Sequence, residues 1–182
     1  MNAWKLIKSD LYRYHGRTGV KDLLKGFCLI EGFRYMFFFR LCAGSTGLLR
    51  LWWRLFIRHY SYKYGFQIPY TTRIGKGFYI GHFGTVVING NASIGDNVNI
   101  SPGVIIGQVS RGRLKGVPTI GNSVWIGSNA VIVGNITIGD DVLIAPGAYV
   151  TMDVPAGSLV MGNPGVISPG KGVEGYILNE CR

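Results

Sequence analysis

The chain has 182 residues, nearly half of them apolar, with 28 glycines and a formal net charge of +10. That is enough apolar material for one packed domain with an appendage, and the glycines follow a period, which excludes a disordered chain. Three cysteines without metal-ligand spacing exclude a disulfide framework and point to a reducing compartment.

The charge is uneven. Residues 1–65 carry 12 Lys/Arg against 3 Asp/Glu, whereas residues 66–182 carry 7 against 6. Lys5, Lys8, Asp10 and Arg13 leave no early apolar run for a cleavable leader. Tyr35 to Phe39 is bounded by Arg34 and Arg40, and no stretch approaches the roughly 20 apolar residues of a transmembrane helix.

In chain order, the pattern predicts a polar first helix, a turn near Tyr14–Gly19, and a long helix from Asp22 to Cys42 with an aromatic face. Gly44 to Gly47 breaks it. Leu48 to Tyr60 resumes helical periodicity, with Arg50, Arg54 and Arg58 in one row and Leu51, Trp52 and Leu55 expected opposite. This basic, aromatic-rich helical segment, residues 1–65, has two readings. It is a set of core helices packed on the remainder of the chain, or it docks on an anionic membrane surface through its apolar side and its cations. Nucleic acid is the other cationic partner, but the segment carries no recognition motif for it.

From Ile74 the sequence becomes periodic. A branched aliphatic recurs every six positions: Ile74, Ile80, then Ile88, Ile94, Ile100, Ile106, then Ile120, Ile126, Ile132, Ile138, Ile144 and Val150. A glycine or other small residue usually comes next. Such a period predicts a solenoid of short strands, each too short to stand alone and stable only when stacked. It places five to six coils of about 18 residues in residues 66–167, with residues 168–182 as a tail or cap. The phase breaks twice. Ile80 to Ile88 is two residues too long and contains His82; Ile106 to Ile120 is eight too long and contains Arg111, Arg113 and Lys115.

The stretches Gly65–Ile88, Ser93–Gly107, Val124–Val150 and Val154–Gly165 resemble the hexapeptide-repeat acyltransferases of the serine acetyltransferase-like group, and most closely its sugar and polysaccharide O-acetyltransferase branch. The resemblance implies a mainly β fold: a left-handed parallel β-helix behind an N-terminal α-helical segment. It implies acetyl-CoA as the donor, a homotrimer, and His82 as the general base. Independently of the resemblance, His82 is the only histidine in the repeat and sits on an insertion that re-aims side chains. An imidazole titrates in the range suited to taking a proton from an attacking hydroxyl. The bland alternative is a histidine packed at a subunit seam.

The resemblance maps the family's His-orienting aspartate onto Gln67, which accepts a hydrogen bond but lacks the charge. It maps other acceptor-binding family residues onto Gly81, Gly116 and Val117, which cannot play those roles. It places the cofactor along Gly107, Gln108, Gly127, Ser128 and Ala145, with backbone amides near the thioester, although small residues are also what any coil corner needs. Arg111, Arg113, Lys115 or Lys171 would meet the cofactor phosphates in place of the family's basic residue, which is Val166 here. His82 and the long loop fall on different corners, so a neighbouring subunit is expected to complete the site.

The leading expectation is therefore an acetyl-CoA-dependent O-acetyltransferase acting on a sugar hydroxyl of a surface polysaccharide or its precursor. It would be cytoplasmic, peripheral on the inner face of the plasma membrane, without metal and without nucleic acid. The alternatives are a serine O-acetyltransferase and a non-catalytic trimeric scaffold. A metal-dependent enzyme on this solenoid would need several histidines, and the repeat has one.

Overall fold

The computed structural model describes residues 2 to 170 and 172 to 181. Four helices come first: α1 (Ala3–His15), α2 (Val20–Leu29), α3 (Glu31–Ala43) and α4 (Gly47–Tyr64). The Asn2 side chain caps α1 by accepting from the Trp4 amide, and Gly16 closes it in the left-handed conformation. The helix expected from Asp22 to Cys42 is instead two helices broken at Ile30, whose backbone is extended. Arg34 makes the break tenable: its guanidinium donates to the carbonyls of Phe27 and Cys28, which have lost their helical partners. α3 buries Phe33, Tyr35, Met36, Phe38 and Phe39 on several sides, so it is the core of the helical layer.

The arrangement expected on α4 is corrected. Arg54 and Arg58 do not oppose Leu51, Trp52 and Leu55; all five line one outward groove with Leu48. Leu51 and Arg54, like Leu55 and Arg58, are three apart, and residues at that spacing share a helix face.

Strands β1 to β15 come after the helices. Parallel strands stack into three faces. Face A holds β1 (Phe66–Gln67), β4 (Val86–Ile88), β7 (Ile105–Gly107), β10 (Val131–Val133) and β13 (Tyr149–Val150). Face B holds β2 (Arg73–Ile74), β5 (Ser93–Ile94), β8 (Thr119–Ile120) and β11 (Thr137–Ile138). Face C holds β3 (Tyr79–Ile80), β6 (Asn99–Ile100), β9 (Trp125–Ile126), β12 (Leu143–Ile144) and β14 (Ser158–Met161), closed by antiparallel β15 (Val166–Pro169). The pairing is in register, so the periodic aliphatics stack in columns: Ile80, Ile100, Ile126, Ile144 and Val160 on face C, and Ile88, Ile106, Ile132 and Val150 on face A. Each is buried, worth about 1.5–3 kcal/mol apiece. The five strands of face A mark five coils. The first begins at Phe66, where buried Ile68 already stands six residues before Ile74.

The faces differ outside. Face B presents Arg73, Ser93, Thr119 and Thr137 to solvent or near it. Face C is covered by the chain itself: Tyr14 of α1 packs on Tyr79, and Tyr176 on Trp125, each with tilted rings. Arg13 ties both coverings down, donating to the carbonyls of Gly77 and Leu178 and to Asn99 Oδ1. The segment after β15 therefore returns along face C to α1, where the amide of Cys181 donates to Asn97. Face A keeps an apolar outer column, Val87, Ile105, Val131 and Tyr149, with Ile105 and Tyr149 exposed.

Candidate active site

His82 stands at the corner joining face C to face A between the first and second coils, inside the two-residue insertion, and is exposed. The inserted turn rests on the end of α4. The Gly84 amide donates to the Tyr64 carbonyl at 3.0 Å, and the Val86 amide to the Gly65 carbonyl at 3.1 Å. Gly84 holds φ at +142°, a conformation that favours glycine. Phe83, next to His82, is 64% exposed. Beneath the turn, Tyr64 is buried and accepts from Arg34 Nη1 at 2.7 Å. Burial raises the Tyr64 phenol, and the Arg34 charge opposes the rise.

The strand register carries along the same edge. Gly81 follows Ile80, as Gly127 follows Ile126 and Ala145 follows Ile144. The structure thus brings His82, Gly127, Ser128 and Ala145 onto one edge, in the first, third and fourth coils. Coils stack at about 4.8 Å, so His82 and Ser128 are roughly 10 Å apart along the axis. The amides of Gly127 and Ala145 are not free for a ligand: they donate to the carbonyls of Ile144 and Val160, each at 2.8 Å. Ser128 has no such bond among the described residues, and its carbonyl accepts from Gly147.

Gly107 and Gln108 lie on the other edge of face A, where β7 runs into the long loop. The loop is structured. Val109 and Gly116 exchange two backbone hydrogen bonds of 3.0 Å, and the Asn135 amide anchors to the Leu114 carbonyl at 2.9 Å. Leu114 packs against the core, while Arg111, Arg113 and Lys115 project from the hairpin, exposed. Lys171 lies outside the described residues. One chain therefore divides the expected set between two edges flanking the apolar column of face A.

Gln67 is not on His82. It is exposed on β1, in register with Val87, and no hydrogen bond joins it to His82 among the described residues. It lines a cleft of about 470 Å³ between α4 and the first coils, together with Arg54, Arg58, Ser61, Tyr70 and Val87. Sequence spacing does not connect these residues. The one signal it offers is the absence of any Asp or Glu between Glu31 and Asp96. Among the described residues, no group of three His, Cys, Asp or Glu could hold a metal ion, and no helix is long and apolar enough to cross a membrane.

Residues 118–151 match the family described as bacterial transferase hexapeptide (six repeats). The matched stretch runs from β8 to β13 of the solenoid. A serine acetyltransferase of Helicobacter pylori is 40% identical over 99 residues, covering 54% of this chain and 58% of that protein. One of Staphylococcus aureus is 40% identical over 110 residues, covering 60% of this chain and 52% of that protein. The chain thus spans a little over half the length of these curated relatives. Among solved structures, Neisseria gonorrhoeae serine acetyltransferase in complex with serine superposes with a TM-score of 0.72 at 29% identity, over 91% of this chain and 69% of that one. The Brucella abortus serine acetyltransferase in complex with coenzyme A gives 0.76 at 26%, over 93% and 68%. The three-faced solenoid is a left-handed parallel β-helix with an N-terminal helical layer. These relatives are serine acetyltransferases, and none of them is a sugar O-acetyltransferase.

Proposed function

We propose that this protein is an acetyl-CoA-dependent O-acetyltransferase with His82 as general base. The observation that carries the proposal is the edge on which His82 shares a line with Gly127, Ser128 and Ala145, in a solenoid similar to serine acetyltransferases. The Nε2 or Nδ1 atom of His82 takes the proton of the acceptor hydroxyl as its oxygen attacks the thioester carbonyl. Coenzyme A leaves as the thiolate and takes up a proton, and the acetyl ester forms on the acceptor. The Ser128 amide is the available oxyanion donor. Acetyl-CoA is the donor of this reading, held along this edge and by a neighbouring subunit's basic hairpin, and the coenzyme A complex of the Brucella relative supports it.

The relatives favour L-serine as the acceptor. A specific observation favours a second reading, a sugar hydroxyl. Gln67, Gly81, Gly116 and Val117 supply no charge to hold an amino acid, and exposed Phe83 beside His82 offers a flat apolar face suited to a pyranose ring. Thiol release from acetyl-CoA against L-serine and a panel of sugars separates them: a higher kcat/KM for serine supports the first reading, and a higher value for a sugar the second.

The active unit of this reading is a trimer. Its support is the uncovered apolar column of face A, with His82 on one flank and the basic hairpin on the other, so that a neighbour's hairpin would complete each site. Peripheral attachment to an anionic membrane surface from the cytoplasmic side is supported by α4, where Leu48, Leu51, Trp52 and Leu55 are exposed beside Arg54 and Arg58. Co-sedimentation with anionic vesicles that weakens with salt tests it, and absence of binding at low salt removes it.

A further inference from the structure

We infer that Arg54 and Arg58 form a phosphate-binding subsite beside the active site, in the cleft between α4 and the first coil. The inference rests on the second reading of the acceptor, a sugar, and gives that acceptor a phosphate-bearing carrier.

Three observations meet at this cleft. The first is unbalanced charge. Arg50 and Arg54 both place a guanidinium 5.7 Å from the ring centre of Tyr70, and Arg58, one turn further along α4, places its own 5.7 Å from the ring centre of Tyr62. Among the described residues the only ion pairs are Asp10–Arg40 and Lys76–Asp96, so none of these three cations has a carboxylate partner. Arg50 does donate to the Ser45 carbonyl, but neither Arg54 nor Arg58 makes a hydrogen bond among the described residues. Neighbouring like charges that line one cleft without a carboxylate favour a bound anion, and planar guanidiniums suit phosphate oxygens.

The second is shape. The cleft is about 470 Å³, with Gln67 and Tyr70 available as further polar contacts. That is more room than a free amino acid occupies. The third is position. α4 ends at Tyr64, whose carbonyl holds the His82 turn. Arg58 is six residues earlier, about 9 Å along the helix axis at 1.5 Å per residue. A sugar presented to His82 would therefore set a phosphate on its anomeric carbon toward Arg58. Gln67 then contacts the acceptor rather than orienting the histidine.

The same arginines also border the outward groove of Leu48, Leu51, Trp52 and Leu55. The phosphate could thus come from a nucleotide-linked sugar or from a lipid-linked one, and the test separates these sources.

The experiment is calorimetric titration of the full chain, at low salt, with uridine diphosphate, farnesyl diphosphate, L-serine and coenzyme A. It compares the wild type with Arg54→Gln/Arg58→Gln, Arg54→Lys/Arg58→Lys and His82→Ala. The expected result is diphosphate binding that weakens at least tenfold in the glutamine pair, recovers in part in the lysine pair, and persists in His82→Ala. A preference for farnesyl diphosphate that falls with Leu51→Gln/Leu55→Gln assigns a lipid carrier. A preference for uridine diphosphate that is unchanged by Leu51→Gln/Leu55→Gln assigns a nucleotide carrier. Undiminished diphosphate binding in the glutamine pair, with native circular dichroism, overturns the inference. So does loss of coenzyme A or serine binding alone in that pair, which would give the cleft to the donor or to an amino acid. Because binding is read without turnover, an inactive His82→Ala that still binds diphosphate separates this subsite from the proposed catalysis.

Discussion

Asp10 Oδ2 lies 2.8 Å from Arg40 Nε, and both side chains are almost wholly buried. The pair joins α1 to α3, and each partner also holds the solenoid: Asp10 accepts from the Phe78 amide, and Arg40 donates to the carbonyls of Ile74 and Gly75. Burial pushes the Asp10 carboxyl above its ordinary range, and Arg40 and the Phe78 amide pull it back. Asp10→Asn leaves the guanidinium buried without its counter-charge. It is expected to cost about 3–5 kcal/mol in urea denaturation. Arg40→Met is expected to cost at least as much, since two solenoid carbonyls lose their donor as well.

Gly32 marks the closest approach of the helical layer to the solenoid. A Cβ there would collide with the Ile80 carbonyl oxygen. Backbone cannot yield as a flexible side chain does, so Gly32→Ala must push α3 outward. The expected loss is about 1–3 kcal/mol, read as a lower denaturation midpoint. Because Ile80 precedes the His82 turn, turnover should fall as well.

The apolar column of face A predicts assembly through that face. Ile105→Glu with Val131→Glu is expected to convert a trimer into monomers in light scattering while circular dichroism stays native. The same variant should lose activity, since each site would lose the neighbour's hairpin. Trimers that persist would show that face A faces solvent.

Arg111, Arg113 and Lys115 are exposed on an anchored hairpin, so their removal should not disturb the fold. Replacing all three with Gln is expected to raise KM for acetyl-CoA about tenfold, with kcat little changed and the effect fading at high salt, as exposed charges contribute about 0.2–1 kcal/mol each.

The solenoid was legible because burial inside a three-faced coil demands an aliphatic at every sixth position, and Ile80, Ile100, Ile126 and Ile144 state that demand directly. The two phase breaks located the His82 turn and the hairpin for the same reason. The break at Ile30 was not legible. It depends on Arg34 reaching back to the carbonyls of Phe27 and Cys28, a contact helical periodicity does not encode. The position of Gln67 was hidden in another way. The family resemblance paired the two, but β1 sends Gln67 outward into the α4 cleft. The cover on face C depends on Arg13 meeting Leu178, 165 residues along the chain.

The central claim is that His82 deprotonates the acceptor. Thiol release from acetyl-CoA, wild type beside His82→Ala, with serine and sugar acceptors at saturation, measures it most directly. A loss of kcat of about 10²–10⁴-fold with coenzyme A binding retained is the expected result. Equal turnover by the two proteins with the same acceptor would contradict it.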